Sequence, residues 1–173
     1  MIQYINKSVL DFTLQTVIAH GVNCQGKMGS GLAKDIKEKF PEVFTNYKNL
    51  CDHKFEPFPL DGNVWAGFLA KDRQDPLLGV SQITKVDEYI TVANLFTQQY
   101  YGRDGQKYAD QTSIYNALMN LCQSIAMRSD LPDRVALPKI GCGLGGLDWD
   151  SEVEPILREV QRNFPLDFIV CSI

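Results

Sequence analysis

Two glycine-rich stretches hold the residue types best suited to gripping an anion. The first runs His20-Gly21-Val22-Asn23-Cys24-Gln25-Gly26-Lys27-Met28-Gly29-Ser30-Gly31 and leads into a helical pattern. Gly21, Gly26 and Lys27 sit at the spacing of the pattern G-x-x-x-x-G-K-[S/T], but Met28 stands where a magnesium-binding hydroxyl belongs. Nucleoside triphosphate hydrolysis loses its support there, while the phosphate cradle survives, because glycines ahead of a helix expose backbone N–H groups. The second stretch, Gly141-Cys142-Gly143-Leu144-Gly145-Gly146, is a literal G-x-G-x-x-G. Its context is wrong for a dinucleotide-binding unit: one more strand follows, no acidic residue ends that strand, and Leu147-Asp148-Trp149 separates the glycines from the next helix. Two such loops facing each other would hold a diphosphate from both sides.

The elements that must position these loops alternate along the chain. Thr16–Ala19 reads as a buried strand, with His20 directly after it. Leu32, Ala33, Ile36 and Phe40 recur at helical spacing, and Pro41 ends that helix and opens a second. Val64–Ala70, Gly79–Thr84 and Tyr89–Phe96 read as strands. Ile114, Ala117, Leu118, Leu121 and Ile125 mark one face of a long amphipathic helix between Asp110 and Arg128. Val135–Pro138 is a strand running into the second glycine loop. Ser151-Glu152-Val153-Glu154 matches a capping box for a helix to Asn163, and Phe168–Cys171 closes the chain as a strand. This alternation predicts an α/β layered fold around a largely parallel sheet, with ligands taken at the carboxyl ends of its strands.

Composition removes other classes. Hydrophobic residues are 45% and charged residues 22%, as in ordinary soluble domains, and 173 residues make one domain. No apolar run approaches membrane-spanning length and the first residues do not form a secretion signal, so a cytoplasmic location and no membrane partner are expected. A net charge of -4 argues against duplex nucleic acid as partner, and Lys34, Lys37 and Lys39 read as a solvated helix face. Cys24, Cys51, Cys122, Cys142 and Cys171 are an odd, scattered set suited to a reducing compartment. With His20 and His53 as the two histidines, no metal site and no cofactor are expected, and His53 reads as a surface residue. Phe96, Tyr100 and Tyr101, at a strand end, are expected to pack inward.

Taken together, the His20–Gly26 and Met28–Ala33 stretches, Leu137-Pro138-Lys139-Ile140-Gly141-Cys142-Gly143-Leu144, Asn94–Thr97 and Tyr101–Gly105 resemble the macro domain family. The branch is the one containing ADP-ribose-1″-phosphate phosphatases and ADP-ribosyl-glutamate hydrolases. The likeness runs from about Tyr4 to Cys171 and implies a three-layer α/β/α macro domain, residues 1–173, with a mixed, largely parallel central sheet. It implies ADP-ribose derivatives as small-molecule partners of a monomer. Asn23 would contact the distal ribose; Gly29, Ser30 and Gly31 would hold that ribose and its phosphate. Gly141, Cys142, Gly143, Leu144 and Gly145 would wrap the diphosphate. Where family members use an aspartate for adenine, this chain has Asn6-Lys7-Ser8, so Ser8 would serve. The lysine and aspartate of the glutamate-specific hydrolases are replaced by Gln98 and Gly145, with Asp148 as a secondary carboxylate whose plain role is helix capping. His20 matches the histidine of phosphatase-like members. The expected activity is metal-independent removal of phosphate from ADP-ribose 1″-phosphate, with His20 and Asn23 as catalytic residues. The alternatives are an ADP-ribose-binding module without chemistry and a hydrolase of another ADP-ribose conjugate.

Overall fold

The computed structural model describes residues 1–55, 64–65 and 75–172. Among the described residues, seven strands form one sheet in the order β1-β7-β6-β2-β5-β4-β3. They are β1 (Ile2–Ile5), β2 (Thr16–Asn23), β3 (Val64–Trp65), β4 (Ser81–Lys85), β5 (Ile90–Gln98), β6 (Arg134–Pro138) and β7 (Asp167–Cys171). The five strands from β1 to β5 in that order pair in parallel, and β4 and β3 add antiparallel pairs at one edge. The sheet is therefore mixed and largely parallel, as expected. Of the strand expected over Val64–Ala70, residues 66–70 lie outside the described residues.

Helices cover both faces. On one lie α3 (Gln111–Met127) and α4 (Glu154–Asn163); on the other lie α1 (Gly31–Lys39) and α2 (Pro41–Asp52). The alternation of β2 shows why two layers are needed. Val17 and Ala19 join the core beneath α3 and α4, whereas Ile18 packs with Ile36 and Val43 from α1 and α2. His20 and Val22 share the parity of Ile18, so the histidine faces the α1–α2 layer. Among the described residues, no helix is long and apolar enough to cross a membrane.

Two expectations need correction. β2 does not stop at Ala19; it continues through His20, Gly21 and Val22 to Asn23, because β5 pairs with it along its whole length. The polar residues there looked like loop, but a central strand is held by ladder hydrogen bonds irrespective of side chain. The capping box is also displaced. The Asp148 carboxylate accepts from Ser151 N–H at 2.9 Å, and Glu152 Oε2 accepts from Asp148 N–H at 2.8 Å. This reciprocal pair opens a π-helical turn, Trp149–Val153, that runs straight into α4. Glu154 is spent elsewhere, on Tyr4 and Arg158.

Leu118 is fully buried at the centre of the α3 face. Leu118→Ala is expected to lower stability by about 2–5 kcal/mol, read by urea denaturation, since the rigid sheet cannot collapse into the space.

Candidate functional site

β6, β2 and β5 are adjacent and parallel, so the loops that leave their carboxyl ends emerge side by side. Between them and α1 lies a cleft of about 750 Å³. Its walls come from the loop after β2, the start of α1, Phe44 and Lys48 of α2, the end of β5 with Tyr101 to Arg103 beyond it, and the end of β6 with the following loop to Gly145, Cys142 excepted.

The loop after β2 is organised around Asn23. Its Oδ1 accepts from Gln25 N–H at 2.9 Å and lies 2.9 Å from the Tyr47 hydroxyl, while its Nδ2 donates to Lys27 O at 2.8 Å. The Tyr47 hydroxyl also accepts from Lys27 N–H. Asn23 lines the cleft, yet its amide is committed to shaping the loop. Beneath it, Lys54 makes a buried ion pair with Asp75 and donates to Cys24 O at 2.9 Å. The loop ends at Ser30, whose side chain makes no capping bond, and no acidic residue occupies the first turn of α1. The first N–H groups of α1 therefore open into the cleft through Gly31, Leu32 and Ala33.

The loop after β6 faces them. Among the described residues, the N–H groups of Gly141, Gly143, Leu144 and Gly145 have no acceptor, whereas those of Cys142, Gly146 and Leu147 are engaged. Successive unengaged N–H groups form a concave anion cradle. Tight folding makes the cradle: a Cβ at position 145 would lie 2.5 Å from Gly141 O and 2.9 Å from Ala109 Cβ. Gly141 itself has a φ of 76°.

Charge follows the same division. Lys27, Lys37, Lys48, Arg103 and Lys139 line the cleft, and no aspartate or glutamate does among the described residues. Lys48 is partnered by Asp52, and Lys37 Nζ sits 4.0 Å above the Phe44 ring. No group of three or more His, Cys, Asp or Glu suited to a metal occurs among the described residues.

His20 forms part of the cleft floor but is only 1% exposed. Its Nε2 lies 2.7 Å from Asn94 Oδ1. Burial drives its pKa from 6.5 down to about 4, only partly opposed by the Asn94 bond. It is thus a neutral imidazole at physiological pH, not the neutral-pH proton donor that an exposed histidine would supply. Gly29, Ser30, Gly31, Gly143 and Leu144 line the cleft.

Three expected site residues stand outside the cleft wall. Ser8 caps the single turn Val9–Asp11 by accepting from Leu10 N–H at 3.1 Å. The Cys142 side chain turns inward against the α3–α4 core, and burial pushes its thiol up to about 11. Asp148 serves as the helix cap described above. Tyr100 and Tyr101, expected to pack inward, are more than half exposed, and Tyr101 lines the cleft; Phe96 is buried. Sequence reasoning gave no role to Tyr47, Lys48, Lys139, Asn94 and Gln82, although Lys139 and Asn94 fall in stretches that carry the resemblance. Lys139 follows a strand beside a glycine loop and was the one with a readable signal; the others reach their partners only through the fold.

No family model matches the chain. Curated relatives include an ADP-ribose 1″-phosphate phosphatase of Meyerozyma guilliermondii, 28% identical over 156 residues that cover 84% of this chain and 85% of the relative. A DNA ADP-ribosyl glycohydrolase of Mycobacterium tuberculosis is 25% identical over 170 residues, 98% of this chain but 42% of the relative. Among solved structures, the macrodomain of Mycobacterium tuberculosis DarG superimposes with a TM-score of 0.75 at 24% identity, covering 100% of this chain and 98% of the other. A macrodomain protein from Streptomyces coelicolor gives 0.74 at 22% identity, with 100% and 99% covered. Mixed sheet, two helical layers and paired glycine loops define an α/β/α macrodomain. The chain has the macrodomain fold and is similar in sequence to the relatives named above.

The histidine sets a pH dependence. Between pH 6.5 and about 4 the unfolded chain protonates His20 and the folded chain does not, so stability is lost as pH falls through that window. The loss is expected to be on the order of 3 kcal/mol, followed by denaturant titration at each pH, and the slope flattens in His20→Gln.

Proposed function

We propose that the cleft binds ADP-ribose and that the protein hydrolyses ADP-ribose 1″-phosphate to ADP-ribose and phosphate. The observation that carries this reading is the opposition of two backbone anion sites, the start of α1 and the Gly141–Gly145 cradle, within a wall that holds cations and no carboxylate among the described residues. A diphosphate suits the paired N–H groups. A further anionic group on the distal ribose suits the cations that remain, Arg103 and Lys139 among them. The phosphatase named among the relatives, and a structure of Thermosipho africanus DarTG in complex with ADP-ribose, point the same way.

The chemistry follows from what the wall lacks as much as from what it holds. Phosphate on an anomeric carbon leaves as an anion and needs no proton donor, whereas a nitrogen base leaves poorly without one. In this reading a water oxygen bonds to the anomeric carbon, the carbon–oxygen bond to phosphate breaks, and phosphate departs with the electron pair. His20 Nδ1 takes the water proton and returns it to the released phosphate. Asn23 acts by holding the loop that seats the distal ribose. A second reading, a binding module without chemistry, is favoured by the low exposure of His20, which limits its reach to a ligand that seats deeply.

The test is phosphate release from ADP-ribose 1″-phosphate in the presence of EDTA, with ADP-ribose binding followed by calorimetry. Turnover is expected, with the phosphate unlabelled when the solvent is ¹⁸O-water. Gly145→Ala, which forces the cradle open, is expected to weaken ADP-ribose binding by roughly 10–100-fold. Tight binding with no phosphate release sinks the phosphatase reading in favour of the module.

A further inference from the structure

A polar chain crosses the sheet beneath the cleft, and one backbone carbonyl fixes the direction of every bond in it. Gln82 on β4 donates through Nε2 to Asn46 O of α2 at 3.0 Å. A carbonyl only accepts, so the amide nitrogen of Gln82 must point there and Oε1 must point the other way. Oε1 accepts from Asn94 Nδ2 on β5 at 3.2 Å, and this turns Asn94 Oδ1 toward β2. Oδ1 lies 2.7 Å from His20 Nε2 and accepts, so Nε2 carries the hydrogen. Strand register supplies the geometry: His20 pairs with Asn94, and Asn94 with Gln82. Asn94 is fully buried and Gln82 nearly so, which excludes water as a competing partner.

The other ring nitrogen has no partner. Among the described residues, His20 Nδ1 is buried without a hydrogen bond, in a residue that lines the cleft. A buried polar atom left unmatched is costly unless a ligand or water completes it. With Nε2 protonated and the ring neutral, Nδ1 offers a lone pair and can only accept.

We propose that Asn94 and Gln82 are positioning residues that lock His20 in the Nε2–H tautomer, presenting Nδ1 to the cleft as an acceptor for a hydroxyl of the bound ligand or for water. The proposal deepens the function proposed above and rests on it for the identity of the ligand. β5 carries no titratable side chain, and α1 and α2 present Lys37 and Lys48 to the same cleft, joined there by Lys27, Arg103 and Lys139. None of these acts on the imidazole as strongly as burial and the Asn94 bond, which are the causes of its shift.

Nitrogen-15 NMR of the histidine-labelled protein reads the tautomer directly, since His20 and His53 are the two histidines. The free protein is expected to show His20 protonated at Nε2 alone, and ADP-ribose is expected to move the Nδ1 signal of His20 while sparing His53. Gln82 does not line the cleft, so its variants isolate the relay. Gln82→Leu releases the Asn94 amide to turn over, which mixes the tautomers and lowers kcat roughly tenfold or more with little change in KM. Gln82→Glu keeps an acceptor for Asn94 Nδ2 and restores the wild-type tautomer. Asn94→Asp places a carboxylate against Nε2–H, holding the ring protonated to higher pH, so the rising limb of the kcat–pH profile moves up by about 1–3 pH units. A His20 protonated at Nδ1 in the free protein overturns the proposal, as does a Gln82→Leu variant with the wild-type tautomer and kcat. Failure of ADP-ribose to bind by calorimetry overturns the function proposed above, while the free-protein spectra of the wild type and Gln82 variants still decide the relay.

Discussion

The site depends on the placement of β2. It pairs in parallel with β5 on one side and β6 on the other, so loops starting near residues 24, 99 and 139 open at one edge of the sheet. Parallel pairing aligns strand ends of the same sense, and helices returning along the faces keep connections away from that edge. Move β2 one position and the two glycine loops no longer face each other. Its central position also explains its composition. Both faces are covered, so Thr16 to Asn23 is buried throughout except at Gly21, and a Cβ there would stand 2.7 Å from Thr97 Oγ1.

Electrostatics then divides the molecule. The chain carries a net charge of -4, yet the lysines and arginine in the described cleft wall face no carboxylate lining it. Backbone groups reinforce the sign, because the unengaged N–H groups of the second loop and the start of α1 both present positive ends to the cavity. An acidic surface around a cationic cleft focuses the field inward and favours small, highly charged anions over extended polyanions. The acidic residues near the site are occupied in building it: Asp75 anchors Lys54 beneath the first loop, and Asp148 and Glu152 cap the turn that follows the second.

Burial governs what His20 can do. Desolvation disfavours the imidazolium, and the sheet supplies a neutral amide rather than a carboxylate as its partner. The outcome is a neutral ring, suited to accepting a hydrogen bond and unsuited to storing a proton. Fully satisfied buried chains hold a single arrangement, and the chain from Asn46 O to His20 is satisfied at every atom but the last, Nδ1 of a residue that lines the cleft.

The sequence by itself determined the layered α/β class, the extent of α1 and α3 to within a residue or two, the start of α2, and both glycine loops, because these are local signals: apolar periodicity, a proline at a helix start, glycines after apolar strands. It also marked His20 and Asn23. Only the tertiary structure decided what those two residues do. The commitment of Asn23 to its own loop requires Tyr47 from α2, and the buried partner of His20 Nε2 is Asn94, itself held by Gln82, 74 and 62 positions away along the chain. Ser8, Cys142 and Asp148 do not line the cleft: two cap helical turns and one packs against the core, and which of these a side chain does depends on the turn it occupies and not on its neighbours in sequence. Hydrogen-bond direction across a sheet is a property of register, and register is settled by burial of whole strands against whole helices.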